Sequence, residues 1–395
     1  MLSLSQRSEN VAPSETLAIT AKINSMQAQG IDVIKFAAGE PDFDTPEYIK
    51  DAAIESLRNG FTKYTPVPGI AALREAIVEK FKRDNNLHYS PSQIIVSCGA
   101  KHSIYNILQA ICNPGDEVVF AAPYWVSYPE IVKLSDAKPI VVETTAGQNF
   151  CMKPEQIESV LSDRTKAIII SSPSNPTGTV YDAATLSQIG ELALERQCYV
   201  ISDEIYESLL YDDLRHQSIA SLDEAVQGIT FVVNGVSKAY SMTGWRIGYT
   251  AGPEKAVQAM SRIQSHSTSN PTSIAQIGAL TALTASQEAV EEMRRAFEER
   301  RNVICQRFDE IDGITYAKPQ GAFYIFPDVS SHYGRNINGK TVNGSVEMTA
   351  FLLDSARVGV IPGNASGADN HLRLSFATSL AEINSGMDRI KEALA

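Results

Sequence analysis

The chain has 395 residues, of which 44% are apolar and 20% charged, and its formal net charge is -12. This size and apolar content allow a large core and favour two domains over one, whereas the acidic balance argues against binding to nucleic acid or to an anionic membrane surface. No apolar run approaches the roughly 18 residues of a membrane span, and the N-terminus lacks the basic start and apolar middle of a signal peptide.

Short apolar runs alternate with amphipathic segments through the middle of the chain. Such β-branched runs are typical of strands buried on both faces in a parallel sheet. Between them, Asp182 is placed to cap a helix that reaches the mid-190s. The pattern predicts an α/β domain over residues 48–285. The predicted strands are Gln93–Val96, Glu117–Phe120, Pro139–Val142, Ala167–Ile170, Tyr199–Ile201 and Phe231–Val233.

A second region follows residue 285. Apolar residues from Val290 to Ile311 recur at helical spacing, with Glu and Arg between them, which predicts a long helix with one apolar stripe and a solvated charged face. Strands are predicted over Gly321–Phe326 and His371–Phe376, with a loop rich in Gly and Asn around 332–344. Together with residues 1–47, residues 286–395 are expected to form a smaller α+β domain.

Polar residues directly follow four of the predicted strands. In an open α/β sheet, ligands bind at the carboxyl ends of the strands, so these segments predict one shared site. The segments are Ser97–Lys101, Ser171–Gly178, Ser202–Tyr206 and Asn234–Lys238.

The cysteines and histidines give weaker indications. The five cysteines are far apart and form no C-x-x-C pair, which is typical of reduced thiols and predicts a cytoplasmic protein. The six histidines form no H-E-x-x-H motif or comparable cluster, so no metal site is predicted. No predicted strand is followed by G-x-G-x-x-G, which argues against a dinucleotide-binding dehydrogenase.

Five segments, in order, resemble the class I pyridoxal-phosphate-dependent aminotransferases. The resemblance covers about residues 10–390, and it is nearest to the bacterial aspartate aminotransferase branch that includes bifunctional aspartate/prephenate enzymes. It implies a type I fold with two parts: a large domain with a mostly parallel seven-stranded sheet between helices, and a smaller α+β domain. It also implies cis bonds before Pro123 and Pro176. The segments are Gly39–Phe43, Asn175–Gly178, Ser202–Tyr206, Ser237–Gly248 and Gly321–Tyr324.

The resemblance implies roles around the pyridoxal 5'-phosphate ring. Lys238 would hold the cofactor as a Schiff base and, once displaced by substrate, carry the Cα proton. Asp203 would pair with the pyridine nitrogen and keep it protonated, because a buried carboxylate needs a partner. Tyr206 and Asn175 would contact the ring oxygen, and Trp125 would stack on the ring. Trp125 and Asn175 would also border the substrate.

The phosphate of the cofactor needs donors and positive charge. Arg246 can bind it bidentately, and Ser237 can add a hydroxyl. Gly99, Ala100 and Lys101 open a helix, whose free N–H groups and dipole favour an anion.

Tyr64 matches a family tyrosine that reaches the phosphate of the partner subunit. The resemblance therefore implies a homodimer with shared active sites.

Substrate recognition is the remaining implication of the resemblance. Arg373 would clamp the α-carboxylate, since a planar fork suits a carboxylate better than a lysine does. Gly39 belongs to a loop that approaches the same carboxylate. Thr16 and Lys101 occupy positions at which relatives hold a distal carboxylate, which favours aspartate, glutamate and their oxo acids.

The sequence therefore predicts transamination between L-aspartate and 2-oxoglutarate, giving oxaloacetate and L-glutamate. Prephenate or aromatic amino acid transamination, alone or as a second activity, is the alternative, because prephenate also carries two carboxylates. Elimination or cleavage by another pyridoxal-phosphate enzyme of the same fold stays open, since the cofactor residues do not separate these reactions. A non-catalytic regulatory domain is disfavoured by the acidic charge and the short segment before the matched region.

Overall fold

The computed structural model describes residues 3–337 and 339–395. The strands are β1 (Ile34–Lys35), β2 (Ile94–Ser97), β3 (Glu117–Ala122), β4 (Lys138–Glu143), β5 (Thr165–Ser171), β6 (Tyr199–Asp203), β7 (Thr230–Gly235), β8 (Gly248–Ala251), β9 (Tyr324–Ile325), β10 (Asn336–Ile337), β11 (Lys340–Thr341), β12 (Val358–Gly359), β13 (Ile361–Pro362) and β14 (Leu372–Ser375). The α-helices are α1 (Gln6–Glu9), α2 (Glu15–Ala28), α3 (Glu47–Arg58), α4 (Ala71–Asn85), α5 (Ala100–Ile111), α6 (Tyr128–Leu134), α7 (Pro154–Glu158), α8 (Ala183–Glu195), α9 (Glu224–Gln227), α10 (Glu254–Ser267), α11 (Ser273–Thr284), α12 (Glu288–Asp309), α13 (Ser345–Phe351) and α14 (Leu380–Leu394).

A seven-stranded sheet forms the centre of the molecule, in the order β2-β8-β7-β6-β5-β3-β4. Only β8 runs antiparallel to its neighbours, so the sheet is mostly parallel, as the resemblance implied. All six predicted strands are confirmed. The seventh strand, β8, was not predicted from the residues, because its sequence Gly-Tyr-Thr-Ala is not a continuous apolar run.

The strand β4 corrects one expectation. The residues Pro139–Val142 were predicted to be buried on both faces, yet Val141 is 36% exposed and Pro139 and Ile140 are only partly buried. The reason is position, since β4 is an edge strand that pairs only with β3.

The helices follow the sequence pattern closely, with one error. Asp182 caps α8 as predicted, and its carboxylate accepts from the backbone N–H of Thr185. The long apolar stripe lies on α12, although Ile311 falls beyond its last residue. The prediction of a solvated charged face is wrong at Arg301, which is fully buried and forms two hydrogen bonds to the carboxylate of Asp212. A buried guanidinium is tolerated because this carboxylate pairs with it.

The C-terminal region contains a small antiparallel sheet in the order β13-β14-β9. The two predicted strands of this region are shorter than expected, and they correspond to β9 and β14. The expected loop around 332–344 contains the short hairpin of β10 and β11, and its residue 338 lies outside the described residues.

The buried apolar residues suggest how the chain divides. One core joins Ile34 and Phe36 to residues of α12, α13 and α14, whereas three others lie almost wholly within the segment from Ile49 to Val290. On this basis we propose that residues 48–285 form a large domain and that residues 1–47 and 286–395 form a small one. Residues 1, 2 and 338 of that division lie outside the described residues.

Two further expectations concern the whole chain. Among residues 3–337 and 339–395, no helix has the length and apolar character needed to cross a membrane. The peptide bonds before Pro123 and Pro176 are cis as expected, and the bond before Pro173 is cis as well.

Candidate active site

A cavity of about 680 Å³ lies at the carboxyl ends of β5, β6 and β7, beside the start of α5. The parallel strands place their last residues at one edge of the sheet, which is where the strand-end segments were predicted to meet. Every predicted site residue except Gly99 and Tyr64 lines this cavity, including Ala100, Ser237 and Trp125.

Lys238 follows β7 and projects its amine into the cavity. The Nζ atom donates a hydrogen bond to the carbonyl oxygen of Gly39 and lies 5.8 Å from the ring centroid of Tyr206. Burial is the main cause that lowers the pKa of Lys238 to about 8. At pH 7 about one amine in ten is then neutral, against fewer than about one in a thousand for an ordinary lysine. The neutral amine is the form that attacks a carbonyl or accepts a proton.

Asp203 is the last residue of β6 and is 5% exposed. Its Oδ2 accepts a hydrogen bond of 2.7 Å from the hydroxyl of Tyr128, which is itself fully buried at the start of α6. Burial raises the pKa of Asp203 to about 6, and the Tyr128 hydroxyl works against that rise. A cation placed at this carboxylate would stabilise its ionised form further.

Four further side chains form a polar wall of the cavity. The hydroxyl of Tyr206 lies 2.9 Å from that of Tyr324, and either can donate. Arg373, on β14, donates to the side-chain oxygen of Asn175 at 3.3 Å and to the carbonyl of Ala37 at 2.9 Å. Its guanidinium also lies over the ring of Tyr324, at 4.7 Å from the centroid. The Nε of this buried arginine makes no hydrogen bond to the described residues, which leaves a donor for a ligand.

Arg246 and the start of α5 form a cradle suited to an anion. Arg246 has a left-handed backbone with φ of 57°, and its guanidinium donates to the carbonyls of Thr243 and Cys98. Glycine is favoured at residue 99 chiefly because its φ is +89°, and a Cβ there would also displace Nη2 of Arg246, which lies 2.3 Å from the Cβ position. The first N–H groups of α5, which begins at Ala100, have no helical partners and favour an anion.

Lys101 adds a further positive charge to the cavity. Nζ of Lys101 lies 4.9 Å from the ring centroid of Trp125, and Trp125 packs edge-on against Tyr128. Burial, followed by the charge of Arg246, lowers the pKa of Lys101. Thr16 borders the same cavity with a buried hydroxyl that makes no hydrogen bond to the described residues.

Two predicted residues behave differently from the rest. A Cβ at Gly39 would meet only the hydroxyl of Tyr324, at an ordinary 3.5 Å, so the surrounding protein alone does not require glycine there. Tyr64 is 91% exposed and lies away from the cavity of its own chain.

Sequence reasoning missed three residues of the cavity. Tyr128 was missed because a tyrosine three residues after Trp125 gives no signal of its contact with Asp203. Tyr324 lies in a quoted segment, but no role was predicted for it. Glu40, which accepts a 2.8 Å hydrogen bond from Thr243, likewise lies in a quoted segment.

These residues fit pyridoxal 5'-phosphate. An enclosed amine suits its aldehyde, and the buried carboxylate of Asp203 suits its ring nitrogen. The cradle of Arg246 and α5 suits its phosphate. The fold and this combination of groups define a pyridoxal-phosphate-dependent transferase.

The comparison with known proteins gives the family. The chain belongs to the family described as aminotransferase class I and II, whose model matches residues 31–390. It is 52% identical to an aspartate aminotransferase of Bacillus sp. (strain YM-2), over 98% of each chain. It is 47% identical to a probable aspartate/prephenate aminotransferase of Aquifex aeolicus, over 99% of this chain and 98% of that one. A solved aspartate aminotransferase of Thermus thermophilus with maleate is 41% identical, with a TM-score of 0.93 and complete coverage of both chains.

Proposed function

We propose that this aminotransferase moves the amino group of L-aspartate to 2-oxoglutarate, giving oxaloacetate and L-glutamate. The observation that carries the proposal is that Arg373 and Lys101, two cationic side chains, line the same cavity as Lys238. Two fixed positive charges match a substrate with two carboxylates. The names of the relatives support the same substrate.

Pyridoxal phosphate supplies, when bound, an aldehyde and an electron sink for the substrate carbanion. The phosphate would lie in the cradle of Arg246, the start of α5 and Ser237. Trp125, Asn175 and Tyr206 would hold the ring, and Asp203 would hold its nitrogen. The buried carboxylate of Asp203 then holds a proton on that nitrogen, because separating the two charges in this site is costly.

The chemical step is proton transfer by Lys238. Its lowered pKa keeps a working fraction of neutral amine near neutrality, so Lys238 would be able to take up the Cα proton of the substrate and to give it back. Arg373 binds the α-carboxylate and fixes which bond at Cα faces this amine. Elimination also begins with removal of the Cα proton, so the half-reactions described below, and not this lysine, separate it from transamination.

The second carboxylate would be held by Lys101 and Thr16. The hydroxyl of Thr16, which has no hydrogen-bond partner among the described residues, and the exposed Lys101 both line the cavity. Prephenate also carries a second carboxylate, and the Aquifex relative is named for it. We therefore propose prephenate as the alternative or second amino acceptor of this enzyme.

The function is tested by half-reactions of the purified holoenzyme, followed through the cofactor spectrum. Aspartate should discharge the aldehyde band and release oxaloacetate, and 2-oxoglutarate should restore the band and release glutamate. Alanine, phenylalanine and prephenate in the same assay rank the donors and acceptors. Release of ammonia or carbon dioxide in place of a restored spectrum would reject transamination.

Replacing Lys101 with alanine is expected to raise KM for aspartate roughly 10- to 100-fold, because one charge-assisted contact is lost. The KM values for alanine and phenylalanine should change much less, since neither has a distal carboxylate. Steady-state kinetics with the three donors measure this. Equal effects on all three donors would contradict a role in distal carboxylate binding.

We infer a cytoplasmic homodimer with shared active sites, in which Tyr64 of each chain reaches the phosphate cradle of the other. Tyr64 is 91% exposed, and Ile54 and Leu57 of the neighbouring helix α3 are 44% and 50% exposed. An apolar surface of this kind is expected at a subunit interface. The five cysteines are free, in keeping with a reducing compartment.

Complementation between two defective chains tests the shared site. Chains carrying Tyr64→Ala and Lys238→Ala should regain activity when refolded together, since one site of the mixed dimer then has both residues intact. Activity at limiting pyridoxal phosphate measures this. The matched control mixes Lys238→Ala chains with Arg246→Ala chains. Each of these residues serves the site of its own chain, so both sites of the mixed dimer are defective and no gain is expected. No gain in either mixture would contradict the shared site.

A further inference from the structure

A group of charged side chains lies buried beside Asp203, outside the cavity. Glu204 follows Asp203 directly, and successive residues at a strand end point in opposite directions. Glu204 is fully buried, and its Oε1 accepts hydrogen bonds from Ser202 at 2.8 Å and from Ser218 at 2.6 Å. A carboxylate in such a place requires charge compensation as well as hydrogen bonds.

His216 supplies the nearest compensation. Its Nε2 lies 2.9 Å from Oε2 of Glu204, and its side chain is 8% exposed. The two atoms are close but not aligned for a hydrogen bond, and a protonated His216 would form an ion pair with Glu204 at this distance. Burial by itself would lower the pKa of His216, but the carboxylates of Glu204 and Glu207 outweigh burial and raise it.

Lys80 completes the group by pairing with Glu207. Its ammonium bonds to Glu207, and the amide of Asn85 donates to the other carboxylate oxygen at 2.7 Å. Burial alone would raise the pKa of Glu207, yet Lys80 and His216 lower it. Two carboxylates therefore face two cations. A metal ion at this place would meet the ammonium of Lys80, which already occupies the position of a counter-ion to Glu207.

We infer that His216 is a positioning residue for the reaction, because its positive charge neutralises Glu204 and so keeps the adjacent Asp203 ionised. The inference rests on the proposed role of Asp203 at the cofactor nitrogen. An uncompensated Glu204 would instead drive a proton onto Asp203, because two neighbouring buried carboxylates resist ionising together.

The other groups that face Asp203 do not replace this charge. After burial, the hydroxyl of Tyr128 and the backbone N–H of Ile205 lower its pKa, Glu204 raises it, and Lys238 lowers it. Tyr128 is neutral, because burial and Asp203 raise its own pKa well above the ordinary value. Lys238 has a pKa of about 8. The extent to which it lowers the pKa of Asp203 therefore decreases as the amine loses its proton with rising pH.

One more group faces Glu204 without compensating it. Burial, and then the charge of Glu204, raise the pKa of Tyr89, so that phenol stays neutral. Its hydroxyl makes no hydrogen bond to the described residues. Within the described part of the chain, His216 is thus the cation placed against Glu204 itself.

The inference is tested by titrating Asp203 in cofactor-free protein labelled with carbon-13 at the aspartate carboxyls. The Asp203→Asn variant assigns its resonance. His216→Gln should raise the pKa of Asp203 by roughly one unit, and Glu204→Gln should lower it. The double variant should return it close to the wild-type value. A structural role alone would not give shifts of opposite sign that cancel.

A second measurement is made on the wild-type chain, and the His216→Gln variant is needed only to assign its resonance among those of six histidines. Nitrogen-15 shifts of labelled histidine in the wild-type chain should show His216 doubly protonated at pH 7. A neutral His216 at pH 7, or an Asp203 that titrates alike in wild type and both single variants, would overturn the inference. Neither result depends on which amino acid the enzyme uses. Failure to transaminate aspartate would instead overturn the proposed substrate and leave these titrations standing.

Discussion

Replacing Lys238 with alanine is expected to reduce the turnover of aspartate by roughly 10⁴-fold or more, because both covalent attachment and proton transfer depend on this amine. The cradle for the phosphate is untouched by the change, so the variant should still bind pyridoxal phosphate, only without a covalent bond. Borohydride reduction followed by peptide mass spectrometry should label residue 238 in the wild type and nothing at that position in the variant.

The same change should not weaken the fold. Burial lowers the pKa of Lys238 from 10.5 to about 8. The charge of this lysine therefore lowers the free energy of unfolding, and this penalty is present in full below pH 8. That penalty shrinks as the pH rises from 8 to 10.5 and is absent above it. Below pH 8 the alanine variant should therefore melt no lower than the wild type when both are free of cofactor. A large loss of melting temperature would mean that the lost activity reflects unfolding and not chemistry.

Lys238→Arg is the matched control for charge. A guanidinium stays protonated in proteins and cannot serve as the nucleophile or the base, so this variant should be as inactive as the alanine variant. Substantial turnover by either variant would contradict the assigned role of the amine.

The sequence was sufficient to place this lysine because its signal is local. Asp203 ends a buried strand and Lys238 lies three residues beyond the end of another, and parallel strands bring such residues to one edge of a sheet. The helix α8 and the apolar stripe of α12 were likewise predictable, since caps and helical periodicity depend on nearby residues.

Contacts between distant segments could not be predicted in the same way. Tyr128 meets Asp203 across 75 positions of the chain, and Arg301 finds Asp212 across 89. The sequence around one partner contains no information about the other partner. Arg301 was therefore predicted to be exposed to solvent. The group around Glu204 shows the same limit, because Lys80 and His216 come from separate segments and only the folded chain places them together.

Replacing Arg373 is expected to have the second largest effect, and Arg373→Lys is the most informative change. Arg373 is 4% exposed, and its guanidinium is held by Asn175, by the carbonyl of Ala37 and by the face of Tyr324. Lysine keeps the charge but loses the fork that binds a carboxylate through two parallel hydrogen bonds. We expect kcat/KM for every amino donor to fall roughly 10²- to 10³-fold.

A comparison of aspartate with β-alanine isolates the effect of the α-carboxylate, because β-alanine has the amine and the distal carboxylate but lacks the α-carboxylate. In the wild type aspartate should reduce the cofactor absorption far faster than β-alanine does. In Arg373→Lys the ratio of the aspartate rate to the β-alanine rate should fall by about the same factor as kcat/KM for aspartate. In Lys101→Ala it should persist, because both compounds keep the distal carboxylate. An advantage that is unchanged in Arg373→Lys would show that this arginine supports the cavity wall and does not bind the substrate.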